Sequence, residues 1–343
     1  MLFDLISVIS SSSVTKSAPP PTEWGPLPQS LNGGGLSPRI NILASDGSSV
    51  WVAGQVDGWA ARSTDNGATW GPLIRGLNSG SATLSITSLA TDGAGVWVAG
   101  LDSSYAARST DNGATWAPLV RGLNSGSTIG SVTSLATDGA GVWVAGFTSG
   151  YAARSIDNGA TWTALPQGFG GVFPISSVYG IATDGAGVWV ATSEQGYASR
   201  SIDNGANWSD LPRSLSSGAG ISSAVTCVAT DGAGVWVAGF SGGYASRSID
   251  NGATWGPLIR GLNSGSTTDV IKSVAADSYG FWIAVFNNGY AARSTDNGAT
   301  WGPLIRGLNS GGATSDIITI GTDGAGVWVA GLESGYAAIS PPL

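Results

Sequence analysis

The chain of 343 residues contains no histidine and a single cysteine, Cys227. Without histidine there is no Ser-His-Asp or Cys-His triad, no ordinary zinc site and no histidine-based pH switch. One cysteine cannot form an intrachain disulfide. Cys227 takes the place that Ser88 and Ser134 hold in neighbouring repeats, so it reads as a small core residue. Charge is scarce as well: Asp, Glu, Lys and Arg make up 10% of the sequence, and the net charge is −8. Nucleic acid or an anionic membrane needs clustered Lys and Arg, which this composition does not supply. Met1–Ser10 is apolar at six positions after Met1, but Asp4 interrupts it and no Lys or Arg precedes it. Neither a secretory signal nor membrane insertion is expected from it. No metal or cofactor is expected.

What the chain has in excess is repetition. Ser63-Thr64-Asp65-Asn66-Gly67-Ala68-Thr69-Trp70 returns nearly unchanged from Ser109, Ser155, Ser201, Ser248 and Ser294. Asp65 and Trp70 are thus followed by Asp111 and Trp116, Asp157 and Trp162, Asp203 and Trp208, Asp250 and Trp255, and Asp296 and Trp301. An Asp side chain can hold the backbone N–H groups of a tight turn, Gly supplies a positive φ, and Trp can fold back under the turn as a plug. The octapeptide is a fold signal and carries no chemistry of its own. A second marker runs in phase with it: Trp51, Trp97, Trp143, Trp189, Trp236, Trp282 and Trp328, each 46 residues from the last, with one step of 47. A period in the forties, with about four short strands per unit, predicts the blades of a β-propeller. In the second full copy, strands a to d are expected near Ile86–Thr91, Gly95–Gly100, Tyr105–Thr110 and Thr115–Leu123.

The ends of the chain fit together on the same arithmetic. The last copy stops at Ser340-Pro341-Pro342-Leu343, where its octapeptide should continue, while Thr22-Glu23-Trp24-Gly25-Pro26-Leu27 matches Thr69-Trp70-Gly71-Pro72-Leu73. The N-terminal strand should therefore complete the C-terminal blade. The expected fold is all-β: a seven-bladed β-propeller of four-stranded blades over residues 22–343. An arm, residues 1–21, precedes it. There Leu2, Phe3, Leu5, Ile6 and Ile9 make an apolar hook on a tether rich in Ser and Pro.

The pattern Ser-x-Asp-x-Gly-x-Thr-Trp resembles the Asp-box of the BNR-repeat β-propellers, over about residues 22–343. That group includes sialidases, sortilin-like receptors, photosystem assembly factors and many phage virion proteins. Its sialidases use an arginine triad, a Tyr–Glu nucleophile pair and an acidic base. Here Arg62, Arg108, Arg154, Arg200, Arg247 and Arg293 each stand one residue before an octapeptide, and that period marks them as contacts between blades. Glu23, Glu194 and Glu333 are the only glutamates, and no Tyr–Glu pair stands out. A two-Asp glycosidase would need non-periodic carboxylates on one cleft, and Asp57 and Asp102, on adjacent loops, come nearest. The resemblance implies a non-enzymatic member similar to the virion proteins: a capsid decoration, fibre or tail component, docked on other virion or assembly proteins through residues 1–21. The rival is a soluble multivalent lectin for cell-surface glycan, using the aromatic residues that open each strand c. The expected location is the virion, and otherwise the cytoplasm.

Comparison of the copies separates scaffold from display. The a–b turns and the octapeptides are nearly constant, whereas the b–c and d–a loops differ, so variation is expected on one face. Candidate ligand-binding residues there are Asp57, Trp59, Asp102, Ser104, Tyr105, Glu194, Gln195, Asn287, Asn288 and Glu333, with Phe173 in the most divergent d–a loop. The arm is expected to leave from the opposite face.

Overall fold

Each repeat alternates short apolar runs with turns that contain Gly, and each run becomes a strand. The computed structural model describes residues 24–26, 31, 38–75, 77, 84–119, 123, 130–165, 169, 177–194, 196–211, 215, 223–259, 262, 269–302, 305–306 and 315–340. They form seven antiparallel sheets, one per repeat. In the second blade, strands a to d are Ile86–Thr91, Trp97–Leu101, Ala106–Ser109 and Ala117–Leu119. Strand a matches the expectation to the residue. Strand b starts two residues later than expected because Gly95, at φ +111°, belongs to the turn.

The order within a sheet is a-b-c-d, and the a strands of successive blades lie against one another, so strand a is innermost. Gly25–Pro26 pairs antiparallel with Ala337–Ile339, through Gly25↔Ile339 and Pro26↔Ala338. The N-terminal strand is thus the fourth strand of the C-terminal blade, as the repeat arithmetic predicts, and Ile317–Thr322 of that blade lies against Ile40–Ser45 of the first. One blade departs from the four-stranded pattern. Among the described residues the fifth sheet has three strands, and its fourth is reduced to a bridge between Ala245 and Ile259. The arm, and with it Leu2, Phe3, Leu5, Ile6 and Ile9, lies outside the described residues.

The core sits between blades. All seven strand-b tryptophans are fully buried, each against apolar residues of the preceding blade: Trp97 with Val50 and Val52, Trp143 with Val98, Trp328 with Ile283 and Val285. Each such side chain stabilises the ring by roughly 2–3 kcal/mol. Blades approach closely where strand b carries Gly. A Cβ on Gly146 would meet Val178 Cγ1 of the next blade at 2.5 Å. Across the strands Gly146 pairs with Ser134, whereas the fourth blade inverts the pair to Thr192 and Gly180. The bulk moves to the partner strand, and close packing is kept.

The octapeptide works as expected at its Asp, Gly and Trp. Asp65 Oδ1 accepts from the Thr69 N–H and the Ser63 hydroxyl, both at 2.8 Å, and Oδ2 accepts from the Thr69 hydroxyl at 2.5 Å. Gly67 has φ +83°, and Trp70 Nε1 donates to its carbonyl at 3.1 Å. The asparagine, for which the sequence suggests no role, joins the blades. Asn112 Oδ1 accepts from Trp97 Nε1 at 2.7 Å, its Nδ2 donates to Asp46 Oδ2 of the preceding blade at 3.1 Å, and its carbonyl accepts from Arg62 Nε at 2.8 Å. The same node recurs at Asn158, Asn204, Asn251 and Asn297. Five of the periodic arginines are therefore inter-blade contacts, as their spacing implies: like Arg62, each of Arg108, Arg154, Arg200 and Arg247 donates to the next node's carbonyl.

Among the described residues one seam lacks the node. Fifteen residues after Trp328 stands Leu343 where every other blade has Asn, and Trp328 Nε1 is buried with no acceptor among the described residues. In the sixth blade Asp277, only 3% exposed, keeps the N–H groups of Tyr279 and Phe281 on Oδ1, with no asparagine among the described residues donating to it. Tyr279 replaces the Ala or Ser of the other a–b turns and packs against the cluster that holds Trp24 and Trp328. Burial pushes the Asp277 carboxyl up to about 6, and the charge of Asp323 adds to this against the pull of the N–H groups.

Candidate functional site

Every strand a carries a bulge at its second residue, where the register with strand b slips by one. The extra residues are Asn41, Thr87, Thr133, Tyr179, Thr226, Lys272 and Ile318. A bulge re-aims a side chain, and here seven are placed on the innermost strands at the b–c end, around the mouth of the central channel. Threonine uses the position to tie strands together. Thr87 Oγ1 donates toward Gly100 O at 3.1 Å and Val132 O of the next blade at 2.5 Å, and Thr226 repeats this with Gly239 O and Ile271 O. Asn41 Nδ2 likewise reaches Ile86 O at 3.0 Å. Tyr179 and Lys272 break the pattern, and both side chains are exposed.

Two pairs of charged or polar groups flank this ring. Arg39 bonds Asn41 Oδ1 through Nε at 2.8 Å and meets Glu333 of the seventh blade at 3.4 Å through Nη1. Tyr179 lies near enough to Glu194 to feel its charge: burial raises the phenol first, and the carboxylate raises it further. This is a Tyr–Glu proximity that the sequence did not single out.

The residues expected on this face divide into three groups. Several are occupied in holding loops. Asp57 Oδ1 accepts from the Trp59 N–H at 3.4 Å, Asp102 Oδ1 from the Ser131 hydroxyl at 2.9 Å, and Asn287 Oδ1 from the Val270 N–H at 3.0 Å, while Asn288 Nδ2 donates to Asp269 at 2.6 Å. Glu194 and Glu333 are open to solvent, and Trp59 and Tyr105 are half-buried, Tyr105 against the core around Trp97. Among the aromatics that open strand c, Tyr151 and Tyr336 are the exposed ones, at 49% and 47%. Ser104 is a correction. It is buried, with φ +63°, at the position where Gly58 and Gly150 stand, and its Oγ donates to Gly130 O at 2.6 Å. That bond turns the hydroxyl into the loop, and the side chain is closed off from solvent. Gln195 and Phe173 lie outside the described residues.

The bulge ring is a feature of this face that sequence reading missed. Its signal was present as Asn, Tyr, Lys and Ile at one column of a Thr repeat, but a column inside a strand looks structural until the bulge is seen. Variation is also not confined to this face, because the constant octapeptide carries Ile156, Ile202 and Ile249 where other copies have Thr64, Thr110 and Thr295.

Among the described residues no group of three or more Cys, Asp or Glu side chains could hold a metal ion, and no helix is long and apolar enough to cross a membrane. No protein-family model matches the chain, and no curated protein matches it. Solved structures do match. YCF48 bound to D1 peptide superposes with a TM-score of 0.70 at 19% identity, over 93% of this chain and 96% of that one. The chain has the β-propeller fold. YCF48 from Cyanidioschyzon merolae gives 0.66 at 17% identity, over 93% and 99%. A GH74 xyloglucanase from Xanthomonas campestris gives 0.69 at 17% identity over 92% of this chain, which spans 53% of that enzyme. At these identities the likeness is one of fold, shared by a peptide-bound propeller and a glycosidase.

Proposed function

We propose that this propeller is a non-enzymatic binding protein that takes a polypeptide partner on its b–c face, at the mouth of the channel. The observation that carries this reading is the bulge ring. Tyr179 and Lys272 give up the bonds that Thr87 and Thr226 make between innermost strands, and offer solvent an aromatic ring and a cation on a rigid strand. A residue that abandons a structural bond in one copy of a repeat is free to serve a ligand. The peptide-bound YCF48 supports a polypeptide as the partner. The carboxylates of Asp57 and Asp102 are engaged in their loops, which supports binding over hydrolysis. The test is a peptide-display library panned against the full chain. Peptides enriched on the wild type, and displaced by one another, are expected; no enrichment over an unrelated propeller would overturn the reading.

The Asp-box resemblance extends this reading to a place in a phage virion, with residues 1–21 docking the propeller on a particle. Mass spectrometry of purified particles tests that extension, and absence of the chain from them would end it. Multivalent glycan binding is the second reading, supported by the exposure of Tyr151 and Tyr336. A glycan array decides it, with signal lost on Tyr151→Ala and Tyr336→Ala.

A further inference from the structure

Ile156, Ile202 and Ile249 occupy the second position of the octapeptide in three successive blades, and they are 71%, 71% and 69% exposed. They lie at the c–d turns, on the face opposite the bulge ring. The fold does not ask for isoleucine there: Thr64, Thr110 and Thr295 fill the same position in the first, second and sixth blades and are exposed in turns of the same bond pattern. Three large apolar side chains at one position of adjacent blades make an arc of exposed apolar knobs. Each isoleucine is followed by an exposed carboxylate, Asp157, Asp203 or Asp250. Burial pushes these carboxyls up, but the hydrogen bonds from the turn outweigh it and hold them below the ordinary value, so they are ionised at neutral pH. Beside Ile156, between the third and fourth blades, Arg154, Thr161, Leu165 and Ala206 help line a cavity of about 240 Å³; Arg154 is half-buried and tied through Nε to the Asn204 carbonyl, whereas Asp157 is exposed.

We infer that this arc is a docking surface for a second protein partner, a polypeptide segment with spaced apolar residues flanked by Lys or Arg. Apolar knobs alternate with fixed negative charges, so the complementary surface is apolar and basic. A second copy of the chain meets this arc with carboxylates against carboxylates, and an anionic membrane is repelled for the same reason. This surface is separate from the channel mouth.

The test substitutes Ile156→Thr, Ile202→Thr and Ile249→Thr together, changes that the other blades already carry, so the fold is retained. Three synthetic peptides serve as probes of the full chain: an amphipathic one of Leu and Lys, its counterpart of Leu and Glu, and a peptide of equal positive charge with Ser in place of Leu. The Leu/Lys peptide is expected to bind the wild type, to weaken several-fold as salt rises from 50 to 300 mM, and to lose at least tenfold on the triple variant. Equal affinity for the triple variant, or equal binding of the Leu/Glu or Ser/Lys peptide, would overturn the inference. So would self-association of the wild type in sedimentation that the triple variant lacks, which assigns the arc to a second copy. Isoleucine-dependent co-sedimentation with phosphatidylcholine vesicles would assign it to a membrane instead.

Discussion

Asn66 in the first blade donates its Nδ2 to Asp323 Oδ2 in the last, at 2.8 Å across 257 residues of sequence. Its Oδ1 accepts from Trp51 Nε1 at 2.7 Å, so one carboxamide both closes the ring and satisfies a buried indole. Asn66 has φ +57°, which Gly adopts without strain. Asn66→Gly therefore removes the side-chain bonds and little else. Loss of the bond to a carboxylate, with an indole N–H left unpaired, is expected to cost roughly 2–4 kcal/mol. The midpoint of denaturant unfolding checks this, with an unchanged midpoint as the contrary result.

The seam between the sixth and seventh blades makes stability depend on pH. In the unfolded chain Asp277 titrates near 3.8, and in the folded chain at about 6. The folded state thus holds a proton more tightly, and its contribution to stability is complete below pH 4 and lost as pH rises through 6. The octapeptide carboxylates act in the opposite sense. Asp111 is held down to about 2, chiefly by the Thr115 hydroxyl and N–H, so its contribution is present above pH 4 and lost on acidification. A melting temperature higher at pH 5 than at pH 7.5 is expected. Asp277→Asn keeps an acceptor for the Tyr279 and Phe281 N–H groups and should abolish that difference.

Most of the fold was legible because it is periodic. Trp51 to Trp328 counted the blades, and Thr22–Leu27 named the strand that closes them, since a strand missing at one end of a repeat must be supplied from the other. The asparagine node was not legible. Asn112 is invariant among the full octapeptides, as Asp111 and Trp116 are, and only the distance to Asp46 in another blade tells a joint from a local turn residue. Ser104 misled for a related reason: a polar residue in a variable loop reads as exposed, yet the turn places it where glycine belongs.

Cys227 tests the packing reading. Burial pushes its thiol up to about 12, and the equivalent Ser134 accepts from the Ile181 N–H at 2.9 Å. Cys227→Ser is expected to change stability by less than about 1 kcal/mol. The wild-type thiol should react with a disulfide reagent only on unfolding. Fast labelling of the native protein would contradict the placement.

The most direct measurement compares the wild type with the double variant Tyr179→Thr, Lys272→Thr, both restored to the residue that Thr87, Thr133 and Thr226 already provide. Each is titrated with the peptides that the display library enriches on the wild type. Binding at the channel mouth predicts at least a tenfold loss of affinity on the double variant, with the melting temperature equal or higher as the inter-strand bonds return. Unchanged affinity on a folded double variant would contradict it and move the binding site away from the bulge ring.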